Sequence, residues 1–279
     1  MIAVALRQQS IGSVLAACWA IFVRDARIAL SYQLNFWLQW VTVLFSVGLS
    51  YFLGRLISPS AAFGVGGHQE SYFDYVAINI AFLRFQQTAL QSFALAIRES
   101  QMAGTLEATL VTPVKLSVIV LSAGLWAFFN TALQTGSYLL LAIPFGLDLH
   151  RADVVTVLVF LVLTVLCIAP LGVVAASAVI MFKQIGPFEF FITGLSNVVG
   201  GVYFPVAMLP LPLAIAAWLL PITHALNGLR GGLQGASLAQ VSSDALWLTL
   251  ASAILLPVSL AFFAAAVKRA KLDGTLGQY

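Results

Sequence analysis

The chain has 279 residues, of which 61% are hydrophobic and only 8% charged. Soluble domains carry about 25% charged residues, so this composition excludes a water-soluble globular protein and points to a chain whose solvent is the bilayer. The net charge of +3 comes without a dense basic cluster, so nucleic acid is not an expected partner, and Cys18 and Cys167 form neither a disulfide framework nor a CxxC metal site.

Residues 13–31 come first. On a helical wheel Trp19, Phe22, Val23, Ala26 and Leu30 cluster on one side, with Arg24, Asp25, Arg27 and Ser31 opposite. That division predicts a helix lying in the membrane interface. A spanning helix needs about 20 mostly apolar residues. Six stretches qualify: 34–54, 72–97, 116–146, 153–182, 187–205 and 244–267. The prediction is therefore an all-α polytopic membrane protein with six transmembrane helices.

The second stretch carries Arg84 near its middle, where a cation costs about 2.5–3.5 kcal/mol or more and has to face protein or water. Gln87 and Gln91 share its helix face, and Asn130 and Gln134 form an i, i+4 pair in the third stretch. These five residues are candidates for lining a translocation path. A structural role for Arg84, bonded to carbonyls or to an acid from another helix, stands beside that reading. Residues 98–112 form the longest polar connection on the side of the termini. Met102, Leu106 and Leu110 repeat every four residues there, off the side of Glu99 and Glu107, and Pro113 stops the pattern. The expectation is a short amphipathic helix suited to docking in a groove of a partner.

Residues 206–235 are apolar but broken, since Pro205, Pro210, Pro212 and Pro221 are four of the chain's ten prolines. Each removes a backbone donor, so two short re-entrant helices fit better than one straight span. Both termini then share a side. Arg7, Arg24, Arg27, Arg98, Lys115, Lys183, Lys268, Arg269 and Lys271 lie on that side, against Arg55, Arg151 and Arg230 opposite. Positive charge marks the cytoplasmic side, which places both termini in the cytoplasm.

Several chemistries have no footing. No lysine follows a glycine, so there is no P-loop, and neither HExxH nor GxSxG occurs. No Asp, Glu or His falls in the middle of any of the six stretches, which disfavours proton-coupled carriers and intramembrane aspartyl proteases. No catalytic residue and no metal ligand is expected.

Two motifs carry a family likeness. Arg98-Glu99, Gly104-Thr105-Leu106-Glu107, Leu110 and Thr112-Pro113-Val114 resemble the cytoplasmic turn of ABC transporter permeases of the type-2 exporter family. Gly200-Gly201-Val202-Tyr203-Phe204-Pro205, Leu209-Pro210 and the run Leu220-Pro221-Ile222-Thr223-His224-Ala225-Leu226-Asn227-Gly228-Leu229-Arg230 resemble that family's signature after the fifth span. The resemblance implies that residues 1–279 form one transmembrane permease domain. It implies a connecting helix at 13–31, a coupling helix within 98–112 and re-entrant outer helices at 206–235. Glu99, Met102, Gly104, Thr105, Leu106, Glu107 and Leu110 would then meet an ATPase. A second permease chain, forming a homodimer, and two separate ABC ATPase subunits that hold ATP and Mg complete the implied assembly in the inner membrane. The implied cargo is a drug, a lipid, a lipid-linked glycan or another amphipathic molecule. A membrane scaffold or assembly factor without transport is the alternative function.

Overall fold

The computed structural model describes residues 11–56, 72–102, 104, 118, 122, 124–182, 186–203 and 205–272. Among them every regular element is helical: α1 (Ile11–Ser31), α2 (Gln33–Leu56), α3 (Tyr72–Met102), α4 (Leu125–Ala142), α5 (Val154–Phe182), α6 (Gly186–Val199), α7 (Leu211–Leu219), α8 (Pro221–Leu233) and α9 (Ser242–Leu272). One-turn 3-10 segments, Ile143–Phe145 and Val206–Met208, follow α4 and precede α7.

The bilayer shows in what the helices leave uncovered. Phe45 and Phe52 on α2, Leu158 on α5, and Leu250 and Ile254 on α9 all face outward, Phe45 with 76% of its surface exposed. An apolar exterior of this extent is stable only against hydrocarbon or another protein. Phe36–Leu56, Val154–Met181 and Ser242–Ala270 are long and apolar enough to cross a membrane, and α7 with α8 form a fourth apolar unit bent by 80°. The bend falls at Leu220, between the short helices, where Pro221 cannot donate a backbone hydrogen bond to α7. The proline-rich stretch thus folds as the two short helices expected of it. α3 has ample length, but Asn79, Arg84, Gln86, Gln87 and Gln91 dilute its apolar character.

Two sequence expectations need correction. The fifth stretch, 187–205, is helical only as far as Val199, and α6 has 14 residues. At 1.5 Å per residue it measures about 21 Å, short of the roughly 30 Å hydrocarbon core. The helix stops because the carbonyls of Gly201 and Val202 are drawn to α3: Tyr75 donates to Gly201 (2.5 Å) and Asn79 to both (3.2 and 2.8 Å). The second correction lies at the other end of α3, which runs past Arg98 to Met102 before Gly104 adopts φ +65°. That left-handed conformation, open to glycine without strain, ends a helix. Met102 therefore belongs to α3, which ends before Gly104; Leu106 and Leu110 lie outside the described residues.

α5 is the hub, packed against α3, α8 and α9. Asp153 caps its first turn, accepting from the Val155 amide (3.1 Å) and the Thr156 hydroxyl (2.6 Å). The Thr156 hydroxyl, with the Val155 and Thr156 amides, holds the Asp153 carboxyl below its usual range. The amide of Asp153 donates to Gly232 O (2.8 Å), tying the start of α5 to the end of α8. Further along α5, Gly172 lies against α3 so closely that a Cβ would sit 1.7 Å from the carbonyl oxygen of Ala89. Backbone touches backbone there, as small residues permit between membrane helices. Phe93, Ala94, Val173, Ala176 and Val179 close around the contact.

Gly172→Ala is expected to part α3 from α5 and to lower the midpoint of thermal unfolding in detergent, with a loss of about 1–3 kcal/mol typical of overpacking. Gly136→Ala, where nothing lies within 4 Å, serves as the control and should leave the midpoint unchanged or slightly higher.

Candidate functional site

The candidate site is a seam of polar side chains between α2, α3 and α4. Arg84, on α3, donates from Nη2 to Ser46 Oγ on α2 (2.8 Å) and from Nη1 to Gln134 Oε1 on α4 (3.2 Å). Gln134 Nε2 and Asn130 Nδ2 both donate to Gln39 Oε1 at 3.0 Å. Thr88 and Thr131 share a hydroxyl hydrogen bond of 2.7 Å, Ser50 and Tyr138 one of 2.6 Å. Ser46, Arg84 and Gln134 all fall near the middles of their helices, so the seam crosses the apolar depth of the fold. Among the described residues Arg84 has no carboxylate partner: amide and hydroxyl oxygens stand where an acid from another helix could have served a structural Arg84.

Of the five path candidates, Arg84, Asn130 and Gln134 are thus brought together. Gln87 and Gln91 lie half-buried further along α3. Sequence reasoning missed Gln39, Ser46 and Ser50. Their spacing of i, i+7 and i+11 on one face of an apolar helix was the available signal, hidden because none is charged.

A second set of polar contacts joins α3, α6 and the bent pair. Near the middle of α3, Gln86 donates to Ser196 Oγ on α6 (2.5 Å), and Thr223 Oγ1 on α8 donates to Gly200 O (3.3 Å). Arg230, 4% exposed, bonds Leu226 O and Asn227 Oδ1 and stacks over the Tyr75 ring, 4.6 Å from its centroid. His224 reaches two acceptors: Nε2 meets Trp218 O at 2.9 Å and Nδ1 meets Asp244 Oδ1 at 2.5 Å. A carbonyl cannot donate, so Nε2 carries a proton. Nδ1 against a carboxylate then needs a second proton, on the ring or on the acid. The ring stacks on Trp247 at 4.4 Å, so α7, α8 and α9 meet at one histidine.

Of the expected docking residues, Glu99 and Met102 are exposed at the end of α3, and Gly104 is exposed at the turn after it. Thr105, Leu106, Glu107 and Leu110 lie outside the described residues. α1 is helical where expected. Phe22 turns inward, edge-on to Trp126 and Phe129 at 5.6 Å, while Trp19 and Leu30 remain exposed. The apolar side of α1 is thus divided between protein and surroundings. Among the described residues no group of three or more His, Cys, Asp or Glu is placed to hold a metal ion.

An all-helical body of the described residues with an apolar exterior is a multi-pass membrane protein. Residues 17–233 match the ABC-2 type transporter family, and the chain belongs to that family. It is a transmembrane ABC transporter subunit of the permease kind, distinct from the ATPase component. No curated protein matches the chain.

The histidine brace makes its own prediction. Asp244→Asn keeps a donor for a bare Nδ1 and should unfold close to the wild-type temperature. Asp244→Ala leaves Nδ1 unpartnered and should cost about 1–3 kcal/mol, the penalty for an unsatisfied buried group. Thermal unfolding of the purified variants separates the two.

Proposed function

We propose that this chain is the membrane subunit of an ATP-driven exporter for an amphipathic or lipid-like substrate. The observation that carries the reading is a mid-depth polar seam, with an uncompensated arginine, inside a chain of the ABC-2 type transporter family. In this reading α2, α3, α4, α5 and α9 cross the inner membrane as helices, and α6 crosses together with the non-helical residues 200–203 that follow it, which make up for its shortness. α7 and α8, bent by 80°, dip into the outer leaflet and return. Both termini are cytoplasmic and α1 lies along the inner interface. Two copies form the path, lined by Arg84, Gln87, Gln91, Asn130 and Gln134. Two ATPase subunits, holding ATP and Mg, bind beneath.

In this reading the connection after α3, residues 98–112, meets the ATPase; its exposed Arg98, Glu99 and Met102 and the turn at Gly104 support that assignment. Closure of the ATPase pair moves this connection and with it the helices it joins, α3 and α4. The ATP-bound and free ATPase must contact the connection differently, since a partner shifts a conformational equilibrium only through differential affinity.

Cysteines placed at Ser60, Arg151 and Leu211 are expected to react with impermeant thiol reagents from outside, and those at Gly104 and Gly274 only from the cytoplasm. A cysteine at Asn130 should be water-accessible, with a rate that changes when ATP is bound. Inside labelling at Leu211 would mean that the bent pair crosses the membrane. Leu106→Ala should weaken ATPase association about tenfold or more, the lower part of the range for truncating a packed leucine. Leu256→Ala, on α9, should leave association unchanged; equal effects would remove the docking assignment.

A further inference from the structure

The two arginines buried among these helices differ in one respect. Arg230 is sealed: its unpartnered Nη1 has no access to the surroundings and its guanidinium lies on Tyr75. Arg84 is half-buried, and its unpartnered Nε is not among the sealed atoms. A guanidinium has five N–H donors. Arg84 places two of them in bonds within the chain, both to neutral oxygens. Gln39 accepts twice through Oε1, and its own NH₂ group finds no acceptor among the described residues. The seam is therefore rich in unused donors, carries one full positive charge, and contains no acid. Such a constellation is stabilised by an oxygen-rich anion, which takes several N–H bonds and the charge together.

We propose that the donors around Arg84 form a binding site for a phosphate-class oxyanion, and that the transported molecule presents this group to the seam. The inference rests on the path reading above and narrows its substrate class from amphipathic to anionic amphipathic.

The decisive variant is Gln134→Glu. It changes almost no volume and places a carboxylate where Oε1 already accepts from Nη1 at 3.2 Å, so the protein supplies its own anion. The purified chain, offered an equimolar mixture of phosphatidylglycerol and the phosphate-free monogalactosyldiacylglycerol in micelles, is analysed by native mass spectrometry. Wild type is expected to retain phosphatidylglycerol at least tenfold over the galactolipid. Gln134→Glu and Arg84→Gln should abolish that preference, and Arg151→Gln, in an exposed loop, should keep it. Inorganic phosphate distinguishes the sources: displacement of the lipid shows that the free anion suffices, resistance shows that the lipid-borne form is needed, and either supports the site. Equal retention of the two lipids overturns the proposal, as does a preference that survives in Gln134→Glu. If the Asn130 cysteine labels from water while the lipid preference ignores Gln134→Glu, the path stands and the anion site falls. If the preference obeys Gln134→Glu and the cysteine stays unlabelled, the site stands and the path falls.

Discussion

Hydrocarbon offers no hydrogen bonds, so a polar side chain within the membrane turns to its own helix's carbonyls, as Thr42, Thr164 and Ser177 do, or to another helix. α3 carries the heaviest demand of the second kind, and the arrangement around it answers most of that demand. Ser46 and Gln134 meet Arg84, Thr131 meets Thr88, Ser196 meets Gln86, and the chain beyond α6 leaves its helix to meet Tyr75 and Asn79. Thr135 adds a bond to Ala81 O at 3.2 Å. Each such bond is worth only about 0.6 kcal/mol on average. Leaving the group unpaired costs several times as much, so their role is to fix which helix sits beside which. Apolar contact with α5, at Gly172 and Ala89, supplies the closeness; the polar bonds supply the register.

Composition and periodicity reveal a good deal of this. α1, α2, α5 and α9 fall within a few residues of the expected stretches, because long apolar runs have one plausible conformation in a bilayer. The prolines of 205–221 announce the bent pair for an equally local reason. The misses are non-local. The early end of α6 depends on Tyr75 and Asn79, more than a hundred positions away. The brace at His224 depends on Asp244 in the next helix, and neither residue belongs to a recognisable motif with the other. The break at Gly104 was written in the sequence as a glycine, but a four-residue apolar repeat across it suggested continuity. Within the seam, Arg84 is conspicuous by its charge, whereas Gln39 and Ser46 acquire meaning only once α2 stands against α3.

Arg230 shows how placement changes the weight of a charge. Read along the chain it is an outer-loop cation. In the fold it is a buried member of α8, stacked on Tyr75, and charge in a packed helix does not orient a membrane protein as loop charge does. Without it, only Arg55 and Arg151 remain on the side opposite the termini, and the asymmetry behind the proposed orientation becomes steeper. The same residue type thus seals one end of α3 and leaves donors open in its middle.

α5 and α9 each contain a proline, Pro170 and Pro257, and can flex where a backbone bond is missing. α3 contains none over its 31 residues. At 1.5 Å per residue it is a column of about 45 Å with an uninterrupted bond ladder. One end stands at the exposed turn after Met102; the other grips the carbonyls of Gly201 and Val202. A column of that stiffness resists compression along its axis far better than bending. In the coupling proposed above, an axial push at Met102 would be carried along α3 toward Asn79, and the bent pair has its own joint, Leu220, at which to take up the stroke.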